Sequence, residues 1–251
     1  LKIDAKACGN VGIPIMDLNI NNENKKLIIE SSSFQLEKIN KLRFRIALLL
    51  NISVDHIEWH GSFENYQNAK LKIFLNQRKN DFAIISIDDN NCQKIAKAFK
   101  ENFNSKLIKI STKKEIIDGI YLKSDEKNLT IFDNFFHNNF LIPKTKISFF
   151  KADHNYQNLL ATYTACKILK ITNKSFIKSI SSFKGLEHRL EKFAVFKNIT
   201  FYNDSKATNM NSSKVALLNL KNIYWILGGR AKTDGIGDIR DSLEFVDRIF
   251  T

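Results

Sequence analysis

Short apolar runs alternate with helix-like segments in the first half of this 251-residue chain. The apolar runs are bounded by polar or turn residues, as expected for buried strands, and they occupy residues 27–29, 46–50, 82–87 and 107–110. Segments with helical character lie between them, at residues 34–41, 63–76 and 92–103. Because strands and helices that alternate along a chain pack as layers, this pattern predicts an α/β fold with a mostly parallel sheet flanked by helices.

The pattern changes in the second half of the chain. A β-hairpin and then two helices are expected at residues 119–132, 155–169 and 173–183. After Gly185, the chain is typical of two strands, a helix, a third strand and a terminal helix, at residues 192–196, 199–202, 211–220, 223–227 and 238–250. This restart predicts a domain boundary near residue 184, with one domain at 1–184 and another at 185–251.

Composition limits the classes of protein to which the chain can belong. Hydrophobic residues make up 43% of it, which is enough for a sizeable core. The longest apolar run, residues 46–50, falls far short of the roughly 18 residues that span a bilayer. The net charge of +13 could serve an anionic partner. The lysines are spread along the chain without a dense basic block, however, which favours compositional bias over a nucleic-acid-binding surface.

The three cysteines argue against a metal site or a disulfide framework. Cys8, Cys92 and Cys166 are widely spaced, and no CxxC motif is present. Reduced, partly buried thiols in a cytosolic protein are therefore expected.

The stretch LIIESSSFQLE, residues 27–37, places polar side chains where a predicted strand meets a predicted helix. Glu30 ends the strand, and a carboxylate at the carboxyl end of a strand can hold Mg²⁺. Ser33 could instead be an ordinary helix N-cap, with Glu37 in the first turns of the helix. The cap interpretation leaves the carboxylate of Glu30 unexplained.

A second stretch, residues 51–70, follows the next predicted strand. It begins with Asp55 and His56, and an imidazole beside a carboxylate can bind a metal or act as a base. Lys70 lies in the helix that follows. By spacing alone it would be a solvated surface lysine.

Three later motifs carry polar side chains at the ends of predicted elements. HNYQN opens a helix with Asn155 and Asn158 one turn apart, where they could contact a base or ribose or simply cap the helix. GLEHRLE places Arg189 at the predicted domain boundary, and a guanidinium suits bidentate contact with phosphate. NDSKATN, residues 203–209, follows a strand and could be a polar turn or a place where charged ligands bind.

The stretch GGRAKT, residues 228–233, imitates the end of a P-loop. It fails the required spacing, because Ala231 stands where a glycine should precede the lysine. Lys232 is therefore interpreted as an anion-binding lysine in a loop after a strand.

The order of these motifs resembles that of the Mur ligases of peptidoglycan synthesis. The resemblance covers nearly the whole chain and rests on the motifs GNVGIP, ESSSFQLE, DH with HGSFENYQNAK, HNYQN, GLEHRLE, NDSKATN and LGGRAKTDG. SSFQLE and NDSKATN are the specific ones. They are most similar to the motifs of the family members that join D-glutamate to UDP-N-acetylmuramoyl-L-alanine.

The resemblance implies an ATP-dependent ligase that forms an amide bond through an acyl phosphate, with ATP and Mg²⁺ as cofactors. It implies a three-domain parent protein. This chain would carry most of the central ATPase-type domain, without its P-loop, and part of a Rossmann-like α/β domain that brings D-glutamate. Activity is thus expected of the longer parent rather than of this chain alone. A cytoplasmic monomer that binds neither nucleic acid nor membrane is expected.

The match with the family motifs also implies roles for individual residues. The implied Mg²⁺ ligands are Glu30, His56 and a carbamylated Lys70. The implied catalytic side chains are Lys70, His56 and Lys206. The implied nucleotide contacts are Asn155, Asn158, Arg189 and Asp204. The implied substrate contacts are Asn10, Ser33, Thr208 and Lys232. Carbamylation would turn an ammonium into an anionic oxygen donor, which would explain a lysine beside a metal.

Two other hypotheses remain. One keeps the superfamily but changes the substrate, to that of another Mur-type or a folylpolyglutamate-type ligase, and an amino-acid specificity assay would decide it. The other is a basic nucleic-acid-binding module, which predicts a continuous stripe of Lys and Arg and steeply salt-dependent binding.

Overall fold

The protein is represented by a computed structural model that describes residues 3–19, 25–147, 153–208, 210–229 and 240–251. The described residues fall into two compact units, the first reaching to Ile180 and the second running from Ser181 to Thr251. Within the described residues, no helix has both the length and the apolar character needed to cross a membrane.

The first unit contains a small parallel sheet and a larger mixed one. The small sheet pairs β1 (Ala5–Gly9) with β2 (Lys26–Glu30) in parallel. The larger sheet has six strands in chain order, which are β3 (Ile46–Leu49), β4 (Phe82–Ser86), β5 (Lys106–Ser111), β6 (Gly119–Ser124), β7 (Asn128–Asp133) and β8 (Phe140–Pro143). Strands β3 to β6 are parallel, and β7 and β8 add an antiparallel edge. The predicted α/β fold with a mostly parallel sheet is confirmed.

The described residues of the first unit form six α-helices, the last of which extends two residues beyond Ile180. They are α1 (Ser33–Glu37), α2 (Ile57–His60), α3 (Phe63–Leu71), α4 (Asn90–Asn102), α5 (Asp153–Ile168) and α6 (Asn173–Ser182). Helix α4 begins where the Asp89 carboxylate accepts hydrogen bonds from the backbone N–H groups of Asn91 and Cys92, both at 2.9 Å. Its apolar face then packs onto the sheet through Cys92, Ile95 and Phe99.

Burial on both faces explains the continuous apolar runs of the central strands. Ala83, Ile84 and Ile85 of β4 are all fully buried, because helices or loops cover both sides of a parallel strand. One core cluster joins β3 and β4 to the helical layer. Within it, the rings of Phe74 and Phe99 meet edge to face with centroids 5.4 Å apart, a favoured aromatic geometry.

Helix α1 differs from its prediction in length and in its cap. It ends at Glu37, whereas the sequence predicted a helix to residue 41. The N-cap is Ser32 and not Ser33. The Ser32 hydroxyl accepts the backbone N–H of Gln35 at 3.3 Å, and the Gln35 side chain accepts the N–H of Ser32 at 3.0 Å. This reciprocal capping box selects Ser32 among the three serines and leaves Ser33 as the first helical residue.

The second unit contains a hairpin, a helix and a parallel strand pair. These are β9 (Glu191–Phe196) antiparallel to β10 (Ile199–Asn203), helix α7 (Met210–Asn219), and β11 (Ile223–Ile226) parallel to β12 (Val246–Phe250). The predicted helix at residues 238–250 is wrong, because Val246–Phe250 is a strand. The spacing of its apolar residues fitted a helix. Pairing with β11 supplies long-range hydrogen bonds that outweigh this local pattern.

All three cysteines are free, as predicted. Cys8 and Cys92 are buried, and Cys166 is partly buried. Burial raises the pKa of the Cys92 and Cys166 thiols, so both are neutral near pH 7.

Candidate functional site

The carboxyl ends of β1 and β2 place Asn10 beside Glu30. Gly9 is the register partner of Glu30, and the Asn10 backbone N–H donates a 2.8 Å hydrogen bond to the Glu30 carbonyl. Gly9 has a φ of +114°, and a Cβ at this position would clash with the Glu30 carbonyl oxygen. A glycine is therefore required here. The side chains of Asn10 and Glu30 are both exposed at this edge of the small sheet.

His56 is held at the start of α2 by its neighbour Asp55. The backbone N–H of His56 donates to Asp55 Oδ1 at 3.0 Å, and its ring Nε2 lies 3.5 Å from Asp55 Oδ2. His56 has a φ of +54°, in the left-handed region that residues other than glycine seldom adopt. A carboxylate that faces one ring nitrogen fixes the orientation of the imidazole, as is common for histidines that bind metals.

Lys70 comes from α3, one turn after Tyr66. Its ammonium lies over the Tyr66 ring, 5.5 Å from the centroid. Such i, i+4 neighbours lie on the same face of a helix. Burial lowers the pKa of Lys70, while the nearby carboxylates of Glu30 and Asp55 oppose the shift by favouring the charged amine. Lys70 is therefore not the solvated surface lysine that spacing alone indicated.

Tyr66 lies near Lys70, His56 and Asp55, and Glu30 joins the group through its proximity to Lys70. Tyr66 is buried, and its ring centroid lies 6.5 Å from that of His56. Burial and the charge of Asp55 raise the pKa of Tyr66 to about 12, so its phenol stays neutral. We call Glu30, Asp55, His56 and Lys70, with Tyr66 beneath them, the Tyr66 cluster.

Among the described residues, no three side chains of His, Cys, Asp or Glu are arranged to hold a metal ion. Mg²⁺ does not require three protein ligands. Magnesium is usually bound by one or two protein ligands, with phosphate oxygens and water completing its shell. Glu30 and His56 can fill that role. Lys70 can join them only after carbamylation, since an ammonium has no lone pair to donate.

Sequence reasoning missed two neighbours of Lys70. The four-residue spacing of Tyr66 and Lys70 in a predicted helix was a signal that could have identified Tyr66. Cys92 also lies within electrostatic range of Lys70, but it comes from α4, beyond the next strand of the sheet. No local pattern indicates that contact, because it arises only when the layers pack.

Ser33 is buried, unlike the exposed residues of the site such as Asn10 and Glu30. Its side chain is buried, and its hydroxyl lies 3.0 Å from Nε2 of His60. A substrate contact through this hydroxyl would require the bond to His60 to open. The substrate-binding role of Ser33 stays a prediction.

Asn155 and Asn158 lie in the first turns of α5, where one side chain is partly buried and the other exposed. Between them, the Gln157 amide donates to the Leu50 carbonyl at 3.2 Å and to the Ser86 hydroxyl at 2.7 Å. Leu50 follows β3 and Ser86 ends β4, so this helix start is fixed to the carboxyl edge of the larger sheet. Ligands of open α/β sheets bind at that edge.

In the second unit, the motifs GLEHRLE and NDSKATN are joined by hydrogen bonds. Asp204 Oδ1 accepts the backbone N–H of Leu190 at 2.9 Å. The His188 carbonyl accepts the N–H of Lys206 at 3.1 Å, and the ring Nδ1 of His188 lies 2.8 Å from the Asn203 amide. The polar loop after β10 is thus part of an ordered structure rather than an isolated turn.

This pair of loops presents most of the cationic and polar groups predicted for the second unit. The side chains of Arg189, Lys206 and Thr208 are exposed, and Asp204 is partly buried. Arg189 and Lys206 give the loops two cations that can contact anionic oxygens. Lys232 lies outside the described residues.

Comparison with known proteins identifies a family. Residues 6–166 match the family model described as Mur ligase middle domain. The chain is 36% identical over 239 residues to the UDP-N-acetylmuramoylalanine--D-glutamate ligase of Rickettsia prowazekii (strain Madrid E), across 95% of this chain and 51% of that protein. The chain thus spans about half the length of the curated relatives it matches.

Solved structures show the same fold at low sequence identity. A crystal structure of MurF from Acinetobacter baumannii matches 91% of this chain and 56% of its own with a TM-score of 0.66 and 16% identity. The MurF ligase of Thermotoga maritima in complex with ADP matches 92% of this chain and 54% of its own, with a TM-score of 0.64 and 18% identity. At these identities, the likeness establishes the fold alone.

Proposed function

Because this chain belongs to the Mur ligase family, we propose that the protein of which it is part joins D-glutamate to UDP-N-acetylmuramoyl-L-alanine with ATP as the energy source. The name of the relative at 36% identity supports this choice of substrates. The observation that carries the proposal is the Tyr66 cluster, in which a partly buried lysine lies within the electrostatic reach of two carboxylates at the rim of an α/β unit.

The reaction that we propose activates a carboxylate before an amine attacks it. A carboxylate is a poor acyl donor, so ATP first phosphorylates the terminal carboxylate of the alanyl group. The amine of D-glutamate then attacks the acyl phosphate, and phosphate leaves from a tetrahedral intermediate. Negative charge builds on phosphoryl oxygens during both steps, so cationic groups that are already in position supply much of the stabilisation.

The residues of the chain would divide these tasks between them. Arg189 and Lys206 would contact the phosphates, and Asp204 would hold the nucleotide through the carboxylate oxygen that is not bonded to Leu190. Asn155 and Asn158 would contact the base or ribose from the start of α5. Asn10 and Ser33 would contact the muramoyl-alanine substrate, and Thr208 and Lys232 the D-glutamate.

Glu30 and His56 would hold Mg²⁺, with Lys70 as a third ligand in carbamylated form. Bound Mg²⁺ neutralises charge on phosphoryl oxygens. The lowered pKa of Lys70 supports carbamylation, because burial enlarges the fraction of neutral amine. That amine adds to carbon dioxide, forming an N–C bond and releasing a proton. The product carries the negative charge and the oxygen atoms that a ligand for magnesium needs.

We further propose that residues 1–184 form a central ATPase-type domain and residues 185–251 part of the domain that binds the amino acid. The proposed substrates are small anionic molecules, and every role proposed above is assigned to a residue of one chain. The protein would therefore act as a cytoplasmic monomer without a nucleic-acid or membrane partner.

The test is a phosphate-release assay on the full-length protein with ATP, Mg²⁺ and UDP-N-acetylmuramoyl-L-alanine. Addition of D-glutamate is expected to start turnover, and L-glutamate, D-alanine and diaminopimelate are not. Turnover with one of those amino acids instead, or with a folate substrate and glutamate, would assign the protein to a different ligase. Lack of phosphate release in the presence of D-glutamate would refute the proposal.

A further inference from the structure

Trp59 is a large aromatic side chain that is exposed and yet fixed in position. It is 61% exposed on helix α2, three residues after His56. Its indole N–H donates a 3.0 Å hydrogen bond to Glu37 Oε2, and this bond lowers the pKa of Glu37. The Phe34 ring meets the indole edge to face, with centroids 5.3 Å apart. Two elements, α1 and α2, therefore hold the ring in place.

The contacts of Trp59 leave more than half of its surface exposed to a ligand. The one polar atom of an indole is its N–H, which is already bonded to Glu37. What remains exposed is a flat hydrocarbon surface with a negative π-face, which recognises C–H groups rather than hydrogen-bonding ones. A single exposed apolar residue is ordinary on a protein surface. An indole fixed by both a hydrogen bond and a ring contact has the pre-organisation expected of a binding surface.

Trp59 lies close enough to the Tyr66 cluster for one substrate molecule to reach both. The Phe34 ring contacts both His56 and Trp59, with its centroid 4.8 Å from the His56 ring and 5.3 Å from the indole, so those two rings are at most about 10 Å apart. In UDP-N-acetylmuramoyl-L-alanine, a lactyl and an alanyl unit separate the sugar ring from the reacting carboxylate. Two such units extend by roughly 7 Å.

We propose that the indole of Trp59 is a binding platform for the pyranose ring of the muramoyl group. With the reacting carboxylate at the Tyr66 cluster, the extended lactyl-alanyl arm brings the sugar within reach of Trp59. One face of a pyranose carries axial C–H groups that pack against an aromatic ring. This inference rests on the proposed function, because it takes the substrate from there.

The test compares variants of the full-length protein by steady-state kinetics. We expect Trp59→Ala to raise the KM for UDP-N-acetylmuramoyl-L-alanine by about 10- to 30-fold, with the KM for ATP and kcat changed less than about twofold. Trp59→Phe keeps a smaller ring and is expected to raise the same KM about threefold. Ile117→Ala is the matched control, since Ile117 is an exposed apolar side chain (93%) of the same unit. It should leave all constants unchanged.

Two outcomes would overturn the platform. One is a KM for the muramoyl substrate that changes less than twofold in Trp59→Ala. The other is found in Trp59→Phe, if its KM for ATP rises, or its kcat falls, by as large a factor as its KM for the muramoyl substrate rises. A thermal melt checks that this variant is folded. If the wild type does not ligate D-glutamate, the proposed function fails by itself. Equilibrium binding of UDP-N-acetylmuramic acid then tests the platform, with a tenfold weakening in Trp59→Ala as support and equal affinity as refutation.

Discussion

Lys70 is a cation that the fold places near two carboxylates and also partly removes from water. These two influences on its pKa oppose each other, and the net effect of burial prevails. If the task of the lysine were to supply positive charge, the carboxylates would stabilise its charged form and burial would destabilise it. If the lysine must react as a neutral amine, burial increases the fraction of the amine that is neutral. Burial of Lys70 thus favours the neutral amine that carbamylation would require.

Two substitutions of Lys70 in the full-length protein separate these roles. Arginine keeps the positive charge but cannot be carbamylated under these conditions. If Lys70 acts as a carbamate, Lys70→Arg and Lys70→Ala should both lower kcat by about 100- to 1,000-fold in the phosphate-release assay. Lys97→Ala removes an exposed lysine from α4 and should leave kcat unchanged. Near-normal turnover of Lys70→Arg would show that a cation suffices.

The sequence predicts the surroundings of some of these residues better than those of others. The association of Glu30, His56 and Lys70 was expected from the order of motifs and not from local chemistry. Taken alone, Lys70 looked like a surface residue. The buried Ser33 hydroxyl shows the converse problem, because a motif marks a serine but not whether another side chain, here His60, occupies it.

At the scale of elements, Gly9 and Gly12 provide a matched pair of probes for the β1–β2 edge. Both have positive φ, of +114° and +84°, but only a Cβ on Gly9 would clash with the Glu30 carbonyl, while one on Gly12 would meet Ala7 no closer than 3.9 Å. Gly12→Ala should therefore lower the free energy of unfolding by about 1 kcal/mol from backbone strain alone. Gly9→Ala should cost roughly 2–4 kcal/mol, because the strand ends must also separate.

Urea denaturation of both variants measures these free energies, and the assay with D-glutamate reports on Glu30. Gly9→Ala should also lower turnover, since it moves the strand end that carries the carboxylate. Equal stability of the two variants would mean that the edge relaxes freely. In that case, the strand register would not be what positions Glu30.

The Arg43–Asp81 ion pair links the segments that enter β3 and β4, and it makes the stability of the fold depend on pH. Asp81 is 1% exposed and accepts two 2.7 Å hydrogen bonds from the Arg43 guanidinium. These bonds, together with one from the Arg78 backbone N–H, lower the pKa of Asp81. A lowered carboxyl pKa adds stability above the unfolded value of about 3.9, and this stability is lost as the pH falls through the folded value.

Arg43→Met is expected to lower the free energy of unfolding by roughly 2–4 kcal/mol at pH 7, because it leaves the Asp81 carboxylate buried without its partner. The deficit relative to wild type should shrink below pH 4, where Asp81 takes up a proton. Urea denaturation across this pH range measures both effects. Lys123→Met removes an exposed ion pair with Glu115 and ring contacts with Tyr121 and Phe132, and it should change the free energy of unfolding far less than Arg43→Met does. A deficit that is independent of pH would contradict this account of Asp81.

The sequence predicts the elements well where burial determines them and poorly where pairing does. Strand β4 could be found because a run that is buried on both faces must be apolar throughout. Helix α1 was predicted too long. The sequence pattern does not reveal that the helix ends at Lys38, whose backbone N–H bonds to the carbonyls of Gln35 and Leu36. Strand β12 was predicted as a helix, because its apolar spacing fits a helix and its partner β11 lies some twenty residues earlier in the chain.

The whole molecule carries a net charge of +13. The distribution of this charge distinguishes an enzyme that binds a small ligand from a nucleic-acid-binding protein. Several lysines of the described residues are engaged in ion pairs or ring contacts at separate places. Lys109 pairs with Asp118, Lys123 with Glu115, and Lys106 lies over Phe82. Charge that is dispersed in this way raises the potential around a protein, whereas nucleic-acid binding needs cations that cluster on one face.

The two classes of protein therefore predict different responses to salt. A protein that neutralises six to ten phosphates of a duplex loses about 10³- to 10⁵-fold in affinity between 50 and 200 mM salt. A site in which only Arg189 and Lys206 contact the phosphates of one nucleotide releases far fewer counterions when the nucleotide binds. We expect the KM of the full-length protein for ATP to rise less than about tenfold over that range, and DNA binding at 150 mM salt to stay weaker than about 1 μM. Tight DNA binding with a steep salt slope would instead mean that the dispersed lysines form one surface, and the charge would then belong to the function.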